Sequence, residues 1–259
     1  MEIDKINQND ILDMSQQVTL FGNFENVDNE KIINILDKFK DYQFGINTVP
    51  GNITSLPEIE NAFLQLNNFY KFKLDSLIKK ISIVIFFDRV VIHFLDYNIY
   101  NKETINILLT EFVGAFLGII QSEKICRLSF IFDKTIKINS EKIKSISKKY
   151  FEKIPYYNKN TPFEWLYNCF SRENFILDGN CTDINVGMTV SKQISELMNF
   201  DMINNVMQSI KEDSVRTMWD INTVPSFSEK QYSIMEIIDF VSQAIDKKNQ
   251  IEQEDDNND

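Results

Sequence analysis

The stretch from Lys80 to Asn139 constrains the fold more than any other part of this 259-residue chain. Ile81 to Phe87 and Val90 to Leu95 are two mostly apolar runs of Ile, Val and Phe, broken at Asp88-Arg89. Short runs rich in β-branched and aromatic residues, split by a polar pair, read as an apolar hairpin. Thr104 to Ile120 is a third apolar block, long enough for a helix, and Ile125 to Ile138 reads as a returning strand. A unit this apolar has to sit at the centre of a core, and the remaining chain has to cover it.

The apolar block from Ile105 to Ile120 must also be weighed as a membrane span. It is shorter than the roughly 20 residues a bilayer requires, and Glu111 lies inside it. A buried core helix is the expectation. Gly114 and Gly118 form a small-xxx-small pair that would let a neighbouring element approach closely.

A chain of this length can bury a sizeable core without disulfides or metals. Its net charge of −11 disfavours nucleic acid and anionic membrane, which carry the same sign. Only 7 Gly and 5 Pro are present, and neither GxGxxG nor GxxxxGK[ST] occurs, so no dinucleotide or phosphate loop is signalled. Cys126, Cys169 and Cys181 are odd in number and widely spaced, which fits free thiols in a reducing cytoplasm. The opening MEIDKINQND lacks a basic start and an apolar signal core, so the expected location is cytoplasmic.

Along the chain, residues 1–14 read as a polar lead-in and Gln17 to Glu25 as a first strand. Asn26 to Lys40 has the three-to-four apolar spacing of an amphipathic helix, through Ile32, Ile35, Leu36 and Phe39. Asp41 to Val49 reads as a strand stopped at Pro50-Gly51, and a helix is expected to open between Ser55 and Pro57. Ser140 is a plausible cap for a helix through Ile143, Ile146, Tyr150 and Phe151. Thr161-Pro162-Phe163-Glu164 predicts a helix to Phe170. Phe175 to Leu177 and Thr182 to Val190 read as strands around the turn Asp178-Gly179, and Gln193 to Ile210 as a helix. Val215 to Val224 is a strand, Ser228 to Lys247 an amphipathic helix, and the acidic tail 249–259 has too little apolar content to fold. The pentapeptide Ile46-Asn47-Thr48-Val49-Pro50 recurs as Ile221-Asn222-Thr223-Val224-Pro225, which leaves a duplicated half-domain open.

Little catalytic chemistry is legible. His93 is the one histidine, alternating between Ile92 and Phe94 in a core strand, and no motif sets a nucleophile beside it. It reads as a structural histidine among aliphatic neighbours. One His and three scattered Cys give no zinc spacing, so no catalytic, metal or cofactor residues are assigned. Asp178, Asp183 and Asp220 lie near strand ends and would matter for a carboxylate- and metal-dependent enzyme only if they met in one cleft. The basic candidate runs from Lys134 to Lys153, with Lys142, Lys144, Lys148 and Lys149 near Tyr150, Phe151, Tyr156 and Tyr157. Lysines with interleaved aromatics can follow a phosphate backbone and stack bases, although a solvated helix face has the same pattern.

The hairpin ISIVIFFDRVVIHFLDYN, the long helix after it, the strand RLSFIFDKTIKIN and the late WDINTVP strand before a last amphipathic helix together resemble an uncharacterised, sporadically distributed family of bacterial cytoplasmic proteins. The resemblance covers about Lys80 to Asp246 and implies an α+β fold with no known catalytic residues. The chain departs from the family in the wording of the strand at Arg127 to Ile131.

The expected fold is therefore α+β: mainly antiparallel sheet with helices packed on one face, in two halves, 1–139 and 140–248, that could be similar, followed by the tail. The expected function is a non-enzymatic cytoplasmic protein-binding component, of accessory, inhibitor or immunity type, acting through an acidic surface. Its partner would be another protein of unassigned identity, or a second copy of the chain. The alternatives are a nucleic-acid-associated protein using the lysine segment and the carboxylate enzyme.

Overall fold

The computed structural model describes residues 11–48, 70–95, 101–120, 125–151, 153, 154, 156, 164–201, 206–224 and 230–257. The strands are β1 (Ile11–Phe21), β2 (Gly45–Thr48), β3 (Phe72–Ser76), β4 (Ile81–Ile85), β5 (Arg89–Phe94), β6 (Arg127–Lys137), β7 (Trp165–Leu177), β8 (Asn180–Asp201) and β9 (Val206–Thr223). The helices are α1 (Asn29–Lys38), α2 (Lys102–Ile120), α3 (Ser140–Phe151) and α4 (Ile234–Asn257). All nine described strands form one antiparallel sheet in the order β2-β3-β4-β5-β1-β6-β9-β8-β7. The fold is α+β.

Period-two alternation divides the sheet into two faces. Val18 and Leu20, Ile83, Ile92, Phe130, Trp219 and Val186 point to one side and share a core with α1, α2 and α4. Val190, Val215 and Trp165, on the same side, receive Ile143 of α3. All four described helices thus lie on one face. The apolar block at the centre of the sequence is α2, whose Ile105, Leu109, Phe112, Val113 and Phe116 are buried. Phe112 sits 5.3 Å from both Phe39 and Phe116, and Phe24 lies 6.1 Å from Phe116. Burying each such ring contributes about 1.5–3 kcal/mol. Among the described residues no helix is long and apolar enough to cross a membrane. Gly114 has Ile234 of α4 at ordinary contact distance and Gly118 faces open space, so neither glycine is demanded by a close approach.

Side chains fix the helix starts. Asp28 accepts from the Lys31 N–H at 2.9 Å, so α1 begins at Asn29 rather than Asn26. Asn139, not Ser140, caps α3, accepting from the Lys142 N–H at 2.9 Å. Ser233 and Glu236 form a reciprocal capping box at the start of α4.

Several expectations are corrected. β1 begins at Ile11, inside the supposed lead-in. Lys40–Tyr42 is a short 3-10 turn, and the strand after it is only Gly45–Thr48. Where a helix opened by Thr161-Pro162 was expected to run to Phe170, Trp165 to Phe170 form the first half of β7, because β8 offers a continuous ladder from Trp165↔Lys192 to Leu177↔Asn180. In place of the helix expected over Gln193 to Ile210, the described residues are the ends of β8 and β9, in register as far as Asp201↔Val206. In both places a partner strand outweighs local helical preference. The helix α4 continues to Asn257, through most of the residues read as an unfolded tail. The helix expected after Ser55 lies outside the described residues.

The two INTVP copies occupy unlike places. Ile46 is on the edge strand β2 and is 45% exposed, whereas Ile221 is fully buried on β9 between β6 and β8. What does recur is an antiparallel meander followed by a helix: β3–β5 before α2, and β7–β9 before α4.

Candidate interaction face

The second face of the sheet carries none of the described helices. Four of the 27 basic residues are arginine, namely Arg89, Arg127, Arg172 and Arg216, and the register sets all four on this face. Arg89 and Arg127 flank Phe21 from β5 and β6. The Arg127 guanidinium lies 5.0 Å from the Phe21 ring and Arg89 lies 4.3 Å from that of Phe86. Arg127 Nη2 donates to Asn222 Oδ1 at 3.2 Å, and Asn185 Nδ2 donates to the same oxygen at 3.4 Å. Asn185 stands opposite Arg172. A belt of Arg, Asn and Phe therefore crosses from β5 to β7, five strand spacings or roughly 24 Å. The Nε of Arg127 is buried with no hydrogen-bond partner.

A second row lies beside it. Arg216 Nε donates to both carboxylate oxygens of Asp133 at 2.9 Å, and its Nη2 also bonds Oδ2. This fork raises the Arg216 pKa above its ordinary value, the hydrogen bond outweighing the opposing effect of burial. Arg216 also lines a shallow depression of about 310 Å³ with Leu166, Asn168, Thr189, Ser191 and Met218. Next to it the Phe170 ring lies over Gly187, where a Cβ would come within 2.6 Å of a ring carbon. Gly187 gives an exposed aromatic ring a seat on the sheet.

His93 is corrected in its surroundings. It is half-buried on this helix-free face, opposite Ser82 on β4 and Gln17 on β1, instead of enclosed among aliphatic side chains. Burial, and then the positive charge of Lys73, hold its pKa below the usual 6.5, with Asp75 opposing. The sequence shows no nucleophile beside His93, yet the register supplies a hydroxyl. Asp75, Ser82 and His93 follow one another across β3, β4 and β5. The order is wrong for proton relay, because the hydroxyl, and not the imidazole, stands in the middle. Ser82 Oγ is buried and makes no hydrogen bond.

The three aspartates are not brought into one cleft. Asp178 and Gly179, at φ +46° and +76°, form the tight β7–β8 turn, and the Asp178 N–H donates to Asp239. Asp220 Oδ1 accepts from Ser129 and Asn222. Asp183 lies four residues along β8 from Gly187, the residue opposite Asp220, about 13 Å away. Among the described residues no three His, Cys, Asp or Glu side chains converge.

Of the lysine segment, Lys142, Lys144 and Lys148 lie on α3, on the other side of the sheet, whereas Lys134 and Lys137 are in β6. Lys144 and Lys148 are exposed and Lys142 is half-buried, while the Lys149 side chain lies outside the described residues. Tyr150 and Phe151 pack on Trp165 at 5.8 and 5.4 Å, so neither ring stands free for a base. The three cysteines are free and exposed.

Arginine identity could have been noticed in the sequence, since four Arg stand out in so lysine-rich a chain. Their common face could not, because it depends on strand register. No known protein-family model and no curated protein matches the chain.

Proposed function

We propose that this chain is a protein-binding component of accessory, inhibitor or immunity type that engages its partner through the helix-free sheet face and performs no chemistry of its own. The observation that carries this reading is the gathering of all four arginines on that face, while lysine is divided between it, at Lys73 and Lys137, and the rest of the molecule. If positive charge alone were wanted, lysine would serve. Arginine differs in its planar five-donor fork and weaker hydration, which suit desolvated contacts with carboxylates and aromatic stacking, and it is enriched at interfaces. Arg89 and Arg127 already rest on phenylalanine rings, so little side-chain entropy is lost on docking. The acids of this face are partly engaged, Asp75 with Lys73 at 3.1 Å and Asp133 with Arg216. Arginine contacts with a partner's carboxylates thus add to the acidic surface expected from composition.

The test is affinity capture in the native host, followed by titration of the purified pair. Arg127→Ala and Arg216→Ala should each weaken binding about tenfold or more, the cost of losing an interface anchor. Lys144→Glu/Lys148→Glu should leave it unchanged. Loss of binding with the lysine variant alone, or salt-sensitive retention of the chain on single-stranded nucleic acid through those lysines, would instead establish the nucleic-acid reading.

A further inference from the structure

The two edges of the sheet are unlike. β2 has four residues and offers little to pair with. β7 has thirteen, and one end of it is sealed by α4. Gln243 accepts from the Ile176 N–H at 3.1 Å and donates to the Ile176 carbonyl at 2.6 Å. Asp239 accepts from the Asp178 N–H at 2.8 Å, and Lys247 pairs with Glu173 at 2.7 Å. Ile176 therefore turns its backbone away from β8. The β7–β8 register has no bulge, so Leu166, Asn168, Phe170 and Arg172 turn theirs outward too. No described element seals this part of the edge.

Exposed edges ordinarily carry lysine, proline or a bulge that discourages pairing. From Leu166 to Ser171 this one reads Leu-Tyr-Asn-Cys-Phe-Ser, with no charge. Leu166 is 61% and Phe170 69% exposed. Charges appear only at the ends, with opposite sign and both exposed: Glu164 and Arg172. The segment is self-complementary. Laid antiparallel on itself about Asn168, it sets Leu166 against Phe170 of the second copy and Glu164 against Arg172 of the second copy. Moving the axis to Cys169 would oppose Leu166 to Arg172 and Glu164 to Asn174, losing both matches.

From this we infer that two copies of the chain associate edge to edge through β7, on a two-fold axis at Asn168, joining their sheets into one. Each outward-facing pair exchanges about two backbone hydrogen bonds, and apolar and ionic cross-strand pairs fix the register. The half of the strand that α4 covers lies beyond the paired segment, so the helix limits the interface to Glu164–Arg172. Arg89 and Arg127 lie on inner strands away from this edge, whereas Arg172 belongs to it and Arg216 shares a depression with Leu166 and Asn168, so partner titration with Arg127→Ala is the readout that separates the two proposals.

The experiment is light scattering on the size-fractionated full chain. The expected mass is about twice the 30.4 kDa of one chain. Asn168→Pro removes an N–H that faces away from β8 and should give the single-chain mass with an unchanged circular dichroism spectrum. Arg172→Glu should also give the single-chain mass, and Glu164→Arg/Arg172→Glu should restore the double mass. A wild-type chain of single mass at high micromolar concentration overturns the inference. So does a folded Asn168→Pro that keeps the double mass, or a double charge-swap that fails to restore it. Should Asn168→Pro not fold, the charge-swap pair decides alone.

Discussion

His93 illustrates how one residue's position sets a measurable property. Its ring is half-buried between Gln17 and Ser82, and burial together with Lys73 disfavours the protonated form. The unfolded chain accepts a proton near the ordinary value of 6.5, whereas the folded chain does so only at lower pH. Between those values the unfolded state holds more protons, so the stability is fully present above the unfolded value and is lost as pH falls from there through the lower folded value. His93→Gln should therefore flatten the decline in melting temperature between about pH 7 and pH 5, above the range where most carboxylates titrate. An unchanged slope would mean that the imidazole is as easily protonated in the folded chain as in water. Arg127 shows the complementary case. Its Nε is buried without a partner while its Nη2 is held by Asn222, so desolvation has been only partly offset within the chain.

At the scale of elements, α4 does two jobs that its amphipathic pattern does not distinguish. Ile237, Phe240, Val241 and Ala244 fill the core, and Gln243, on the flank, bonds the edge of β7 at Ile176. A carboxamide can do this because it both accepts and donates, as a neighbouring strand would. Gln243→Ala should cost about 1 kcal/mol, in line with typical hydrogen-bond losses. It should also speed amide exchange at Ile176, with Asp178, held by Asp239, as the internal control, and the newly open edge should raise the tendency to associate. An exchange rate at Ile176 identical to wild type would show that the helix does not guard the edge. Beyond Lys192 and Ser214, β8 and β9 pair only with each other among the described residues, so this arm lacks the neighbours that support the rest of the sheet.

For the whole molecule, the question is whether the chain's two halves are separable. β6, from the first half, pairs with β9 of the second along nine residue pairs, Ser129↔Asn222 to Lys137↔Ser214. α2 packs against α4, with Asn106 Nδ2 donating to Ser242 Oγ at 2.6 Å. One core cluster includes residues from both sides of Asn139. Thermal unfolding should therefore be a single transition, with calorimetric and van't Hoff enthalpies in agreement. Two resolved transitions would show that the sheet is joined at β6–β9 too weakly to couple its halves.

The sequence by itself determined the α+β class, the hairpin at Asp88-Arg89, the core helix over Thr104 to Ile120 and the turn at Asp178-Gly179. These rest on local signals: apolar runs, periodicity and residues suited to positive φ. Tertiary structure alone decided the strands from Trp165 to Phe170, from Gln193 to Asp201 and from Val206 to Ile210, whose local pattern favours helix. There, hydrogen bonds to a strand close in sequence but fixed in register by the rest of the sheet carry the outcome. It also decided the face on which His93 and the four arginines stand. A strand side is set by a one-residue register, and register is a property of neighbours that no single stretch of sequence contains.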